Sequence, residues 1–202
     1  MIIKVNIDPS KRHLYLQILN GRAFLEYLND DENSNEILLP GFNQAQTAYF
    51  TIYVHFRGQR FKTKAFGCSC EPKINEGFLL ELYKGNSNES AMMADSATLL
   101  SICDPIHMVM LRTDLNQETH LISSNFLEWR TLLTLPGNKQ NLSIELMGTG
   151  AESKIPAGLL NICLQMIPCL DEPIREDIFG AQLGLEHSKN TERVRNFILY
   201  IL

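Results

Sequence analysis

The stretch Thr47-Ala48-Tyr49-Phe50-Thr51-Ile52-Tyr53-Val54-His55-Phe56, followed by Arg57-Gly58-Gln59-Arg60 and then Phe61-Lys62-Thr63-Lys64-Ala65-Phe66, decides the fold class. Its first part is rich in β-branched and aromatic residues, which fit a pleated, half-buried surface. Arg57 to Arg60 reads as a turn, and the returning part alternates Phe61, Thr63 and Ala65 against Lys62 and Lys64. The expectation is a β-hairpin whose lysines share one solvent-facing side.

Upstream, Arg12 to Gly21 places Leu14, Leu16 and Ile18 at a spacing of two, the pattern of a half-buried strand ended by Asn20-Gly21. Arg22 to Asn29 could form a turn of helix. The acidic, Asn-rich run Asp30-Asp31-Glu32-Asn33-Ser34-Asn35 and Pro40-Gly41 then break any pattern, so a long loop is expected. Downstream, strands are expected at Gly77 to Tyr83, Ala97 to Ile102, Ile106 to Arg112, Leu142 to Met147 and Leu159 to Ile167, with His107 to Leu111 apolar enough to be central. Turn compositions at Gly67, Gly85-Asn86, Asp104-Pro105, Pro136-Gly137-Asn138 and Gly148-Thr149-Gly150 separate them. About seven to nine short strands so punctuated argue for an all-β, antiparallel β-sandwich. After Pro173 the period changes: Ile174, Ile178, Ala181 and Leu185 fall at helical spacing, with Glu176 and Asp177 in the first turn, where the helix dipole favours acids. A C-terminal α-helix is expected, and Gly180 and Gly184 each weaken it by about 1 kcal/mol relative to alanine.

The domain expectation is a lead-in over 1–10, a sandwich over 11–168 and a helical segment over 171–202. The apolar end Phe197-Ile198-Leu199-Tyr200-Ile201-Leu202 reads as truncation of a longer element. With 202 residues, 45% hydrophobic and 20% charged, the chain can bury a core, which excludes disorder over most of its length. A net charge of −5 and a pI of about 5.5 offer no general attraction to phosphate backbones or anionic lipid, so bulk nucleic-acid binding is disfavoured. The start carries Asp8 and no apolar run long enough for a signal peptide, which points to an intracellular, soluble protein. The five cysteines are scattered and odd in number, the pattern of free thiols rather than of a disulfide framework.

Motifs for chemistry are weak. Cys68-Ser69-Cys70, with His55, Cys103 and His107 elsewhere, is the one constellation suggestive of zinc, but a lone Cys-x-Cys has unfavourable spacing and better suits a pair of thiols in a turn after the hairpin, one of them packed inward. Neither a Gly-x-Ser-x-Gly nor a cysteine-protease signature is present, and His13, His55, His107, His120 and His187 are scattered. Gly148-Thr149-Gly150-Ala151-Glu152-Ser153-Lys154 lacks the first glycine of a P-loop. Calcium would need six to eight converging oxygens; Asp30, Asp31, Glu32 and Asp114 supply charge, whereas Arg112 opposes a cation. Arg57, Arg60, Lys62 and Lys64 form a modest cationic stripe along the hairpin. It is either a solvated edge that discourages strand addition or a dock for an acidic protein segment or a phosphoinositide. The expectation is therefore a non-enzyme without cofactor, metal site or small-molecule substrate.

Ordered runs along the chain resemble one family. They are Asn6-Ile7-Asp8-Pro9, Leu14-Tyr15-Leu16-Gln17, Gly21-Arg22-Ala23-Phe24-Leu25-Glu26, Arg60-Phe61-Lys62-Thr63-Lys64, Cys68-Ser69-Cys70-Glu71-Pro72, Glu76-Gly77-Phe78-Leu79-Leu80-Glu81, Met93-Ala94-Asp95-Ser96, Ser101-Ile102-Cys103-Asp104-Pro105-Ile106-His107-Met108-Val109, Phe126-Leu127-Glu128-Trp129-Arg130 and Glu145-Leu146-Met147-Gly148-Thr149-Gly150-Ala151-Glu152-Ser153-Lys154. Together they look like the C2 domain of the centrosomal 76 kDa protein family. The resemblance implies a C2-type sandwich and a non-catalytic scaffold or protein-interaction role at the centrosome and centriole, within the cytoplasmic cytoskeleton. It also implies restraint of centriole reduplication and association with a centriole-capping coiled-coil protein. The family's N-terminal helical segment and transglutaminase-like domain have no counterpart here, and the loop after Ile106 to Leu111 departs from the Asp-x-Asp pattern of calcium-binding C2 domains. The alternative implied is a calcium-independent C2 domain that docks on phosphoinositide membranes through the same stripe.

Overall fold

The computed structural model of the chain describes residues 11–22, 48–67, 71–82, 95–114, 116–148 and 156–201. Among them, β1 (His13–Arg22), β5 (Lys73–Glu81), β8 (Lys139–Met147) and β9 (Pro156–Ile167) form a four-stranded antiparallel sheet in the order β5-β1-β9-β8. A five-stranded sheet holds β3 (Gln59–Lys62), β2 (Ala48–Phe56), β6 (Ile106–Asp114) and β7 (Thr119–Leu127) in that order, and the two-residue β4 (Phe66–Gly67) also pairs with β2. Period-two alternation drives the stacking: Leu14, Leu16 and Ile18 from β1, Phe50, Ile52, Val54 and Phe56 from β2, Met108 and Met110 from β6, and Leu160, Ile162, Leu164 and Met166 from β9 meet in one core. The architecture is an all-β antiparallel sandwich with a C-terminal helix, as the hairpin and its neighbours lead one to expect.

The rims between the sheets are stitched by side chains. The Gln59 amide both donates to the Glu81 carbonyl (2.6 Å) and accepts from the Glu81 N–H (2.8 Å), and Glu76 Oε1 accepts the Lys64 N–H at 2.8 Å. On the opposite side Asn125 Nδ2 donates to the Glu145 carbonyl at 2.8 Å. These bonds occupy backbone groups that an open edge would offer to a passing strand.

Several local expectations change. The hairpin turns on Arg57 and Gly58 alone, with φ of 47° and 75°, the left-handed pair that matches strand twist. Its return strand ends at Lys62 because Thr63 turns inward: Ile52 N–H donates to Thr63 Oγ1 at 3.0 Å and Thr63 N–H to the Ile52 carbonyl at 2.9 Å. Ala97 to Ile102 is not a strand. Ser96–Leu100 is a short helix, α1, whose N-cap Asp95 accepts from Thr98 N–H at 2.8 Å while Leu99 and Leu100 enter the core. A short apolar run does not distinguish strand from helix by periodicity, and the Asp95 cap was the overlooked signal. β5 starts at Lys73 rather than Gly77, and β7 was not expected at all. A register irregularity between Met110 and Leu111 breaks the two-residue period there, placing Ile122 and Ser123 both inside.

The C-terminal helix, α2 (Glu176–Ile201), carries Glu176 and Asp177 in its first turn. Its expected face is rotated: Ile174 is buried but precedes the helix, whereas Ile178 and Leu185 are 48% and 58% exposed and Ala181 faces solvent. Phe179, Gln182, Leu183 and Glu186 are the more covered positions. A polar pairing, described below, sets this orientation in place of apolar spacing. The expected helical turn over 22–29, the Asp30–Asn35 loop, the Gly85-Asn86 turn, the lead-in over 1–10, the Cys68-Ser69-Cys70 run and the Phe197–Leu202 side chains lie outside the described residues.

Candidate functional site

Alternation on the five-stranded sheet leaves one face outward. β2 contributes Tyr53 and His55, β3 Arg60 and Lys62, β6 His107 and Val109, and β7 Ser124 and Phe126. Cross-strand register aligns them in rows: Arg60 opposite His55, His55 opposite His107 and His107 opposite Phe126, with Lys62, Tyr53, Val109 and Ser124 in the next row. The His55 and His107 rings meet edge to face at 5.8 Å, and the Phe126 ring stacks on His107 at 4.4 Å and 13°. His107 Nε2 lies 2.9 Å from Ser124 Oγ. Burial, and secondarily the neighbouring His55, holds His107 below the usual histidine range, favouring the neutral ring. Phe126, at 67% exposed, gains little from the core and stands as the apolar end of the row.

Of the expected cationic stripe, Arg60, Lys62 and Lys64 are exposed, and among the described residues none of them makes an ion pair. Arg57 is placed differently: half-buried at the hairpin turn, it is paired with the Asp104 carboxylate. Lys64 continues the alternation past β3 toward the rim that Glu76 closes.

Asp114, Glu118 and His120, at the β6–β7 turn, hold one potential ligand atom each within 4.8 Å of one another. Asp114 Oδ1 already accepts the Glu118 N–H at 2.9 Å, and Oδ2 lies 3.8 Å from His120 Nε2, so the group is largely self-satisfied. Two carboxylates and an imidazole, with Arg112 paired across from His120 in the ladder, fall short of the oxygen set calcium needs. His120 was missed as a member of this group because the bend that folds it back is not visible as spacing. Of the residues linked to zinc, His55 and His107 meet on the outer face, whereas Cys103 sits beside Arg130 and Glu186, and Cys68 and Cys70 lie outside the described residues. Burial, and then the Glu186 carboxylate, push the Cys103 thiol up, away from a reactive thiolate. His13 is buried in β1 and His187 is exposed on α2, so the histidines form no single cluster.

Sequence reasoning overlooked a buried ionic knot. Arg130, 2% exposed, lies in the 3-10 helix Trp129–Thr134, where it donates to both Glu128 oxygens, to the Leu100 carbonyl and, through Nη1 and Nη2 at 2.7 and 2.9 Å, to Glu186 of α2. Gln182 Nε2 adds a bond to Glu186 at 2.9 Å. The two carboxylates, Glu128 first, raise Arg130, and Arg130 in turn pulls Glu186 down to about 2. This fork fixes the helix on the sandwich; it is structural in character, since every donor of the guanidinium faces protein.

Known proteins share this architecture. A family model described as the CEP76 C2 domain matches residues 5–172. The chain is 47% identical over 195 residues to the centrosomal protein of 76 kDa of Danio rerio, covering 96% of the chain and 28% of that protein. It is 46% identical over 197 residues to the Homo sapiens protein of the same name, covering 98% and 29%. The chain thus spans under a third of the length of these relatives. A solved structure of CC2D1B superposes with a TM-score of 0.51 at 11% identity, over 89% of the chain and 63% of that structure, a likeness of fold alone.

Proposed function

The chain belongs to the CEP76 C2 domain family, and from that premise we propose that it serves a centrosomal protein as a non-catalytic interaction module, docking an acidic protein segment on Arg60, Lys62 and Lys64. The observation that carries this reading is an outward sheet face with three exposed cations at its edge, which make no ion pair among the described residues, in a chain whose net charge is −5. Such a patch attracts acidic partners against the sign of the whole molecule. The role extends to the centriole and to the restraint of its reduplication, with a centriole-capping coiled-coil protein as partner. Sandwich 11–168 and helical segment 171–202 act as one unit through the Arg130–Glu186 fork.

The test is a triple reversal, Arg60→Glu, Lys62→Glu and Lys64→Glu, read by binding of a centriole-capping coiled-coil protein and by centrosomal enrichment in cells. Exposed substitutions of this kind change stability by under about 0.5 kcal/mol each, so an unchanged melting curve separates binding from folding. Loss of binding with the fold intact is expected. Retained binding, or preferential capture by anionic vesicles that weakens with salt, overturns the reading.

A further inference from the structure

The cationic edge is only one end of a row that crosses four strands of the five-stranded sheet. Arg60, His55, His107 and Phe126 stand directly opposite one another on four adjacent strands, all outward. Their two ends differ in kind, an exposed guanidinium that makes no ion pair among the described residues at one and a largely exposed phenyl ring at the other. The adjoining row also starts with a cation on β3, Lys62, and continues through Tyr53 and Val109 to Ser124. Neither row contains an acid, although the chain has 23 acidic and 18 basic residues.

The geometry points to this row as the docking line of an acidic peptide segment that carries an apolar anchor, its carboxylates toward Arg60 and Lys62, its anchor on Phe126, and its binding coupled to proton uptake at His107. The inference deepens the interaction reading above and rests on it. Charge complementarity argues for the acidic partner, and the exposed ring stacked on an imidazole supplies the kind of aromatic surface on which binding energy concentrates. Strand spacing of about 4.8 Å makes a four-strand row about 14 Å long, the span of roughly four extended residues.

Proton coupling follows from what surrounds the rings. β3 presents Arg60 and Lys62, β2 presents Tyr53, and β7 presents Ser124 and Phe126, so nothing anionic in these rows favours the imidazolium. The acids nearest along the chain are committed: Asp104 pairs with Arg57, and Glu128 with Arg130. In the free protein burial, and then the neighbouring His55, hold His107 below the usual histidine range, which favours its neutral form. A carboxylate of the bound segment brought near His107 raises the proton affinity of that ring, and by linkage the segment binds tighter as pH falls.

The experiment is fluorescence anisotropy with a labelled synthetic peptide of alternating glutamate and leucine, against a polyglutamate peptide and phosphatidylserine vesicles, at pH 7.5 and 6.0. The expected result is a preference for the glutamate–leucine peptide that tightens about three- to tenfold at the lower pH. Phe126→Ala should weaken it about tenfold, and His107→Gln should flatten the pH dependence so that the affinities at pH 7.5 and 6.0 converge. Equal binding of polyglutamate, indifference to both variants, or failure of the peptide to bind overturns the inference. If binding persists unaltered by Phe126→Ala and pH but is lost on reversing Lys62 and Lys64, the inference fails while the cationic dock stands. Vesicle binding without peptide binding removes both.

Discussion

Glu186→Gln isolates the contact that joins α2 to the sandwich. In the folded chain the carboxyl is held near 2 against an ordinary value of 4.5, chiefly by its hydrogen bonds to Arg130. That depression corresponds to about 3 kcal/mol of stabilisation at pH 7 as an upper bound. The side chain is 19% exposed, shielded enough for most of this to persist, and Glu128 still faces Arg130 in the variant, so a loss of about 2–3 kcal/mol is expected. The folded-state pKa lies below the unfolded one. The contribution is therefore complete above about pH 4.5 and vanishes as pH falls through about 2. At pH 3.5 the linkage leaves about 60% of that contribution, so the gap between parent and variant must narrow by roughly 40%. Urea unfolding at both pH values, followed by the fluorescence of the single tryptophan, Trp129, measures it directly, because Trp129 is fully buried beside Arg130. A loss below about 1 kcal/mol at pH 7, or a gap that does not change with pH, would show that the fork does not hold the helix through its charge.

Asn138, buried and left-handed at φ 45°, donates to the Leu132 carbonyl at 2.9 Å and accepts from Leu170 N–H at 2.6 Å, so Asn138→Ala should lower stability by about 2–3 kcal/mol in thermal melts; a change under about 0.5 kcal/mol contradicts this. Thr63→Val keeps the shape but strands the Ile52 N–H, and an expected loss of about 1–2 kcal/mol in urea unfolding checks the inward turn after β3. His107 should titrate below 6.5 by NMR, and Phe126→Ala, which uncovers its ring, should move the midpoint upward; an unchanged midpoint would mean that the stack does not shield it.

Much of the sandwich was legible as period-two spacing, because Leu14, Leu16 and Ile18 or Phe50, Ile52, Val54 and Phe56 each declare a buried face within a few residues. The exposed lysines 62 and 64 were legible for the same reason. Where local signals competed, reading failed: Ala97 to Ile102 looked extended until the Asp95 cap is weighed, and the irregularity opposite Leu111 hid β7. The Ile178 and Leu185 spacing pointed to an apolar helix face, yet those side chains are exposed.

Local chemistry by itself determined most of the strands, the turn at Gly58 and the acid-started helix, since each is a matter of neighbouring dihedrals and side-chain alternation. Only the tertiary structure decided which residues share a surface. Strand register put Arg60, His55, His107 and Phe126 into one row, and the fold carried Arg130 to Glu186 across 56 positions of chain. Register and long-range pairing are settled by the joint burial of two sheets, a sum over distant residues that no window of sequence contains.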